Sequence, residues 1–452
     1  GEGMSIVVLK YGGTSVSTPE NRRKAAAHVL SAKEQGYKPV VVVSAIGREE
    51  SPYSTDTLLR LLQEVDPTVA PDPREVDLMI ACGEILSATL FAHTLKTMGQ
   101  PSQAFRGGQA GIRTDGVFGN ARIVSINPLL LSESLEKGNV PVVCGFQGTF
   151  VPRKGDPGGE LTTLGRGGSD TTAAVLGAAL GAERVEVYTD VDGVKTADPD
   201  HVPNAPTLRK VTYDEVAEIA HLGAKVLHPR AAEIAMKFGI PLWVKNTFSD
   251  DPGTEVVDRK SFPGRRVTGV THSGRLAYLQ FNLESAEETH RVPLESRIYE
   301  TMARYDLNVY MMNHSRHGFG FAMPREEFST AKDLIDGLVL PIEGSEPVYL
   351  CQLGEKPSRE VETQADLLRP LGGVRTLPID LTENCTMVSV IGQDYLQQPG
   401  VYHEVLTTLH EQQVAVLQTS DSERSLSCLI PYVDVERAVR ALHERFELSK
   451  AQ

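Results

Sequence analysis

Ile6-Val7-Val8-Leu9-Lys10-Tyr11-Gly12-Gly13-Thr14-Ser15 decides how this chain is to be read. Four apolar residues without polar alternation fit a strand covered on both faces, as in a parallel sheet. The strand runs into a lysine and paired glycines. Such glycines let backbone N–H groups approach phosphate oxygens closely, and the lysine adds positive charge. An ordinary strand-to-loop turn with a solvated lysine has the same spacing, and spacing alone does not separate the two.

The phrase recurs along the first 250 or so residues. The β-branched run 40–43 leads into Ser44-Ala45-Ile46-Gly47, and 140–143 into Cys144-Gly145-Phe146-Gln147-Gly148. The run 185–188 leads into Thr189-Asp190-Val191-Asp192-Gly193, and 242–244 into Lys245-Asn246-Thr247. Helical patterns over 21–35, 85–98, 171–180 and 214–220 separate the runs. This alternation predicts an α/β fold, a mostly parallel sheet sandwiched by helices, with ligands beyond the carboxyl ends of the strands.

Around 251–266 the chain turns rich in Pro, Gly and charge, which marks a linker. Beyond it the rhythm becomes strand 276–283, helix 294–305, hairpin 308–313 and 318–323, then helix 326–338. The pattern returns 107 residues later. Ile298 meets Val405, Met302 meets Leu409, Val309 meets Val416 and Phe321 meets Cys428. Pro324 meets Pro431, Ala331 meets Ala438 and Ile335 meets Leu442. These are two βαββαβ-like modules. Between them, 341–381 holds a further strand–helix–strand passage over 348–353, 362–371 and 374–381. The expected domains are 4–260, 268–382 with the extended passage, and 383–450.

Among 452 residues, 45 Lys and Arg face 59 Asp and Glu, a net charge of −14. Nucleic acid or an anionic membrane as main partner would be repelled. An anionic small substrate needs a site that concentrates positive groups locally. Five cysteines lie far apart with no C-x-x-C pair, so zinc ribbons and redox dithiols lack support and reduced thiols in a cytoplasmic protein are expected. The 12 histidines show no metal-ligand spacing, and no metal held by protein ligands is expected. No unbroken apolar run approaches the roughly 18 residues of a membrane span. The N-terminus shows no signal-peptide pattern. Gly1-Glu2-Gly3 ahead of Met4 has the look of an expression-vector remnant.

The remaining loops narrow the chemistry. There is no G-x-x-x-x-G-K-[ST], no G-x-G-x-x-G after a strand and no G-x-S-x-G. Gly165-Arg166-Gly167-Gly168-Ser169-Asp170 opens an Ala-rich helix that Ser169 or Asp170 would cap, and its free N–H groups favour an anion. Arg166 has the fork geometry to hold a carboxylate. Cys82-Gly83-Glu84 precedes the expected 85–98 helix, where Glu84 is either a dipole partner or the acceptor for a substrate ammonium. The Asp- and Gly-dense stretch 189–199 is either plain turn chemistry or a nucleotide wrap, and Lys225 is a second phosphate contact or a solvated lysine.

Read together and in order, Lys-Tyr-Gly-Gly-Thr-Ser, Cys-Gly-Glu, Gly-Phe-Gln-Gly, Thr-Thr-Leu-Gly-Arg-Gly-Gly-Ser-Asp-Thr-Thr and Tyr-Thr-Asp-Val-Asp-Gly-Val-x-Thr-Ala-Asp-Pro resemble the aspartate kinase family of the amino-acid kinase superfamily, over roughly residues 4–260. The C-terminal repeat resembles that family's two ACT domains, including Gln398-Pro399-Gly400-Val401.

The resemblance implies ATP-dependent phosphorylation of the aspartate side-chain carboxylate. The product is 4-phospho-L-aspartate, at the entry to lysine, threonine, methionine and diaminopimelate synthesis. It implies that Lys10 meets the phosphates, with Gly12 and Gly13 as donors beside Tyr11. Arg166 would grip a substrate carboxylate next to Gly167, Gly168 and Ser169, and Asp170 would organise the lysines. Glu84 would take the aspartate ammonium, with Ser44 and Thr55 adding contacts. Tyr188, Thr189, Asp190, Val194, Lys195, Thr196, Asp198, Pro199 and Lys225 would surround ATP, whose phosphates carry Mg²⁺. It further implies an amino-acid effector (lysine, threonine or diaminopimelate) near Gln398, Gly400, Val401, Tyr402, Gln418, Thr419 and Asp421. A homodimer or larger assembly through the ACT modules is also implied.

Two departures from the family pattern stand out. Asp200 follows Ala-Asp-Pro where Arg is common, and Arg291-Val292-Pro293-Leu294-Glu295 replaces a Pro-Gly loop in the first module. The first module is therefore expected to bind no effector. The competing readings are another superfamily kinase, acting on acetylglutamate, glutamate or a nucleotide, and a non-catalytic ACT sensor. A dinucleotide oxidoreductase fails for want of a glycine fingerprint.

Overall fold

The computed structural model describes residues 5–165, 167–224, 226–262, 265–344, 347–393 and 399–450. They fall into two units. The first comprises Gly1–Gly269 with Gly392–Asp394 and Glu447–Gln452, and the second Val270–Ile391 with Tyr395–Phe446.

The first unit is built on an eight-stranded sheet in the order Lys210–Thr212, Thr254–Val257, Leu242–Asn246, Arg184–Thr189, Ile6–Tyr11, Lys38–Val43, Val140–Cys144, Ser102–Phe105. The six strands from Leu242–Asn246 to Ser102–Phe105 pair in parallel. Ile6–Tyr11 lies between the second strand of the chain and a strand reached only after residue 180, so strand order reverses there. Such a switch point opens a crevice at the carboxyl ends of the strands, and Lys10 to Gly13 lie at it. Period-2 alternation divides the central strand. Val7, Leu9 and Tyr11 join a core with Ala25 and Val29 of the Pro19–Glu34 helix and Phe91 and Leu95 of the Pro73–Thr97 helix. Lys10 faces the other side, where Gly168–Leu180 packs.

The Pro73–Thr97 helix corrects an expectation. Cys82-Gly83-Glu84 does not precede a helix but lies in the middle of one, capped far upstream by Asp72 with Pro73 at its first position. A mid-helix glycine costs about 1 kcal/mol in propensity. Here it serves packing, because a Cβ on Gly83 would stand 2.9 Å from Ala45 Cβ. By length and composition this helix could cross a membrane, which the unbroken-run criterion did not register. Here Ala88, Phe91, Ala92 and Leu95 pack into the sheet core. A second, four-stranded sheet runs Ile123–Ile126, Ile112–Thr114, Gln147–Phe150, Glu160–Thr163.

The second unit holds one nine-stranded sheet. Its path is Tyr310–Ser315, Gly318–Pro324, Leu276–Asn282, Val374–Ile391, Val348–Leu353, Val339–Leu340. The Val374–Ile391 strand continues past residue 382, and its distal half pairs with Ser425–Pro431, which pairs with Gln418–Asp421. The 107-residue repeat is realised in space. Gly318–Pro324 and Ser425–Pro431 correspond end to end. Ile298, Met302, Phe321, Ala331 and Ile335 are buried, as are Val405, Leu409, Cys428, Ala438 and Leu442. The passage after residue 341 becomes a strand, the Arg359–Leu368 helix and a second strand parallel to the first. Arg291 to Glu295 lie within the Glu288–Arg304 helix, which tolerates Pro293 in its second turn.

Candidate active site

Lys10 Nζ stands 2.8 Å from Asp170 Oδ1, with both side chains nearly buried at 12% and 14% exposure. Asp170 Oδ2 accepts the His228 backbone N–H at 2.9 Å. The expected side-chain cap by Ser169 or Asp170 is therefore corrected. The cap residue is Gly167, at φ +79° with no side-chain cap bond, because the first-turn carboxylate is drawn to the lysine instead. A side chain at Gly167 would be strained and its Cβ would meet the His228 ring at 2.1 Å, so only glycine fits.

Gly12 and Gly13 follow Lys10 into the crevice. A Cβ on Gly13 would lie 2.3 Å from the Gly47 carbonyl oxygen, whereas one on Gly12 would meet only Lys10 Nζ, at 3.7 Å. Gly13 thus lets two strand-end loops close on each other, tied by the Gly47 N–H donating to the Gly13 carbonyl at 3.0 Å. Gly12 leaves backbone bare beside the ammonium. That is the cradle a phosphate chain requires.

The adjoining strand end supplies Ser44, whose hydroxyl donates to Ser169 Oγ at 3.0 Å. The next residue, Ala45, donates its backbone N–H to Glu84. Glu84 is 2% exposed, and its Oε2 has no partner among the described residues. Burial pushes its carboxyl up from 4.5 to about 8, against only the partial relief of backbone N–H groups. Nearby Cys144 is pushed up to about 12, first by burial and then by the Glu84 charge. A continuous path thus runs from Glu84 through Ala45, Ser44 and Ser169 to Asp170 and Lys10, each step one hydrogen bond, one ion pair or one residue. Thr55 opens the Thr55–Gln63 helix behind its cap Ser54, and Leu58 of that helix flanks Gly83.

Phe146 belongs to the Gly145-Phe146-Gln147-Gly148 motif, which by itself gives the phenylalanine no role. It adopts φ +71°, rare for an aromatic residue. Its carbonyl accepts from Leu164 N–H at 2.8 Å, and its ring fills the space a Cβ on Gly168 would need. Such strain marks a place where the surrounding structure enforces a geometry. The signal in the sequence was the Gly-Phe-Gln-Gly spacing itself.

The residues assigned to ATP separate into two groups. Tyr11 and Tyr188 are buried and stacked, ring centroids 4.8 Å apart, and Val194 and Thr196 are buried too. These can present backbone at the rim, not side chains. Thr189 Oγ1 accepts from Val191 N–H at 3.2 Å, Asp190 lies 3.8 Å from Arg48, and Lys195 Nζ donates to Thr207 Oγ1 at 3.1 Å. Asp198 Oδ1 accepts the Asp200 N–H at 2.9 Å, so the departure at Asp200 continues an Asp-led turn into Pro199 and beyond. Arg166, Lys225 and Gln398 lie outside the described residues. In the second unit Tyr402 OH donates to Thr419 Oγ1 at 3.3 Å, and Gln418 donates to Tyr278 OH at 3.2 Å. Gly400 and Val401 open the Pro399–Glu411 helix, with Val401 buried, and Asp421 ends a strand. A separate cavity of about 400 Å³, lined by Arg74, Arg106, Arg113 and Glu160, is bounded by none of Lys10, Ser44, Glu84 or Asp170.

Comparison with known proteins places the chain in a family. The profile of the amino acid kinase family matches residues 5–246, and an ACT-domain profile matches residues 388–446. Fold and site together define an amino acid kinase carrying an ACT domain. Aspartokinase 1 of Bacillus subtilis is 37% identical over 99% of this chain and 100% of its own length. An aspartokinase of Thermus thermophilus is 36% identical over 99% and 100%. The crystal structure of Escherichia coli aspartokinase III in complex with aspartate and ADP superposes with a TM-score of 0.70, at 25% identity over 97% of this chain and 99% of that one. The chain belongs to the aspartokinase family.

Proposed function

We propose that the chain transfers the γ-phosphoryl group of ATP to the side-chain carboxylate of L-aspartate, giving 4-phospho-L-aspartate and ADP. The observation that carries this is the path joining buried, half-satisfied Glu84 to the Lys10–Asp170 pair beside the bare backbone of Gly12. One end suits an ammonium and the other a polyphosphate. A carboxylate oxygen of aspartate attacks the γ-phosphorus as the bond to the bridging β,γ-oxygen breaks, and ADP leaves with that electron pair. The nucleophile is already ionised at neutral pH, so no general base is needed. The site's work is to hold two anions together and to steady charge on the transferring group.

Lys10 supplies positive charge to the phosphates and Asp170 orients it. Ser44, Ser169 and Arg166 hold the amino acid from the carboxylate side, Thr55 adds a hydrogen bond, and Glu84 takes its ammonium. The 188–199 stretch and Lys225 enclose the nucleotide. The donor set of glycine backbone, lysine and hydroxyls fits a nucleotide that brings Mg²⁺ on its own phosphates, and that ion would neutralise phosphate charge. Escherichia coli aspartokinase III was crystallised with aspartate and ADP, the substrate and product this reading requires.

The ACT module supports control by a pathway end product, with Tyr402, Gln418 and Thr419 as the contacting group. The strand edges of the second unit support a homodimer or larger assembly. Incubation with MgATP, hydroxylamine and aspartate tests the function. Aspartate-dependent hydroxamate is expected, with none from glutamate or acetylglutamate. Absence of product with aspartate refutes the reading.

A further inference from the structure

Asp77 is fully buried in the Pro73–Thr97 helix, seven residues before Glu84. Both its oxygens are engaged. Oδ1 accepts the Thr163 hydroxyl at 2.7 Å, while Oδ2 accepts the Thr163 N–H at 2.8 Å and the Gly119 N–H at 3.0 Å. No cation pairs with it among the described residues. A buried carboxylate without a counter-ion is an expensive way to attach a helix, since apolar packing does this without desolvating a charge. Its position suggests what the charge accomplishes.

On the helix side, Asp77, Ala81 and Glu84 follow at i, i+4 and i+7 and so share one face. The Ala81 carbonyl accepts from the Gln147 side chain at 3.2 Å, which anchors the next turn to the same small sheet. Seven residues of helix span roughly 10 Å, so Asp77 fixes one end of a short rigid rod that carries Glu84. On the strand side, Thr163 ends the Glu160–Thr163 strand. Leu164 is held to the Phe146 carbonyl at 2.8 Å, and at Gly165 a Cβ would collide with Asn120 Oδ1 at 2.1 Å. Asn120 follows Gly119, the third donor to Asp77. The three donors therefore come from the two segments, Gly119–Asn120 and Thr163–Gly165, that lead towards the start of the Gly168–Leu180 helix.

We propose that Asp77 is a positioning residue for the amino-acid substrate: its carboxylate sets the spacing between Glu84, at the ammonium end, and Ser169 in the first turn of the Gly168–Leu180 helix, at the carboxylate end. This rests on the aspartate-kinase reading above. The nucleotide cradle is built on the Ile6–Tyr11 strand and lies outside this three-way junction.

The test compares Michaelis constants for aspartate and ATP in Asp77→Ala, Asp77→Asn, Thr163→Val and Thr163→Ser. Asp77→Ala leaves three donors unpaired, and about a tenfold rise in KM for aspartate is expected, with KM for ATP within about twofold. Asp77→Asn keeps two acceptor directions if the Thr163 hydroxyl turns to accept, so KM for aspartate returns to within about threefold of wild type. Thr163→Val removes one bond without changing shape and keeps the test decisive if Asp77→Ala does not fold. About a three- to fivefold rise for aspartate alone is expected from it, and near wild-type behaviour from Thr163→Ser. Unchanged aspartate KM in Thr163→Val, or equal rises for aspartate and ATP, overturns the positioning role. Wild-type protein that forms no acyl phosphate from aspartate overturns the underlying reading instead.

Discussion

On the role proposed for Glu84, aspartate should bind more tightly as pH rises from 6 to 8. Burial holds its carboxyl at about 8 rather than 4.5, because the Ala45 N–H and its own N–H only partly replace lost water. The ammonium of aspartate needs the ionised form. With a pKa near 8, about a tenth of the sites are ionised at pH 7 and half at pH 8. Ionising Glu84 at pH 7 costs about 1.4 kcal/mol, which is subtracted from the binding free energy of aspartate. KM for aspartate should then fall roughly fivefold from pH 7 to 8 and about fiftyfold from pH 6 to 8. KM for ATP should change far less, since Glu84 lies at the opposite end of the path from the Gly12–Gly13 cradle. Initial rates of hydroxamate formation at fixed ionic strength read both constants. In Glu84→Gln the aspartate KM should be high and independent of pH.

Stability moves the other way. The unfolded chain releases the Glu84 proton near pH 4.5 while the folded chain keeps it to about pH 8. The folded state therefore binds more protons, and its stability declines through that window. The loss totals about 5 kcal/mol above pH 8 as an order of magnitude. Glu84→Gln should accordingly resist urea better than wild type at pH 8.5. A flat aspartate KM between pH 6 and 8, or the same slope in Glu84→Gln, refutes the assignment.

Replacing Lys10 by Ala should lower kcat by about 100- to 1,000-fold while KM for aspartate changes by less than about threefold, because the ammonium acts on the transferring group. Equal losses in both would count against that role. Ellman's reagent should titrate one fast thiol per native chain, since Cys82 is exposed. Cys144, Cys351 and Cys428 are pushed up to about 12 by burial and Cys385 to about 11; a second fast thiol would contradict the packing described. Lysine, threonine or diaminopimelate, alone or combined, should inhibit the wild type and inhibit Gln418→Ala less, and activity indifferent to all of them would remove the regulatory reading.

The central strands were legible because burial on both faces leaves a plain mark. Residues 40–43 and 140–143 are unbroken β-branched or apolar runs, and both are interior strands of the parallel sheet. The repeat was legible for a related reason, since its matched apolar positions are the ones that pack inward. Local rules failed where a tertiary contact overrode them. Gly83 reads as a break but is the residue that lets a helix touch Ala45. Asp170 reads as a cap but serves Lys10, leaving the cap to a left-handed glycine. Asp77 was invisible, because an acidic residue in the polar-looking first turns of a helix normally faces water, and only the fold shows three donors converging on it.

These overrides share a direction. In the site as it stands, Lys10 is neutralised by Asp170, and Glu84 retains its proton at neutral pH through burial alone. The charges that the reaction calls for are therefore present but spent on partners within the protein. On the roles proposed above, an ammonium entering beside Glu84 favours its ionised form, the proton passing to water, and phosphates entering beside Gly12 draw Lys10 partly from Asp170. Each substrate exposes the charge that it needs without opening the site to the other. A surface lysine and a solvated glutamate would be permanently charged and equally placed for inorganic ions. Holding them neutralised on either side of the Gly13–Gly47 contact keeps each charge for the substrate that calls for it. The local violations of sequence rules are the means of that arrangement, which is why they gather within a few residues of Lys10, Glu84 and Asp170.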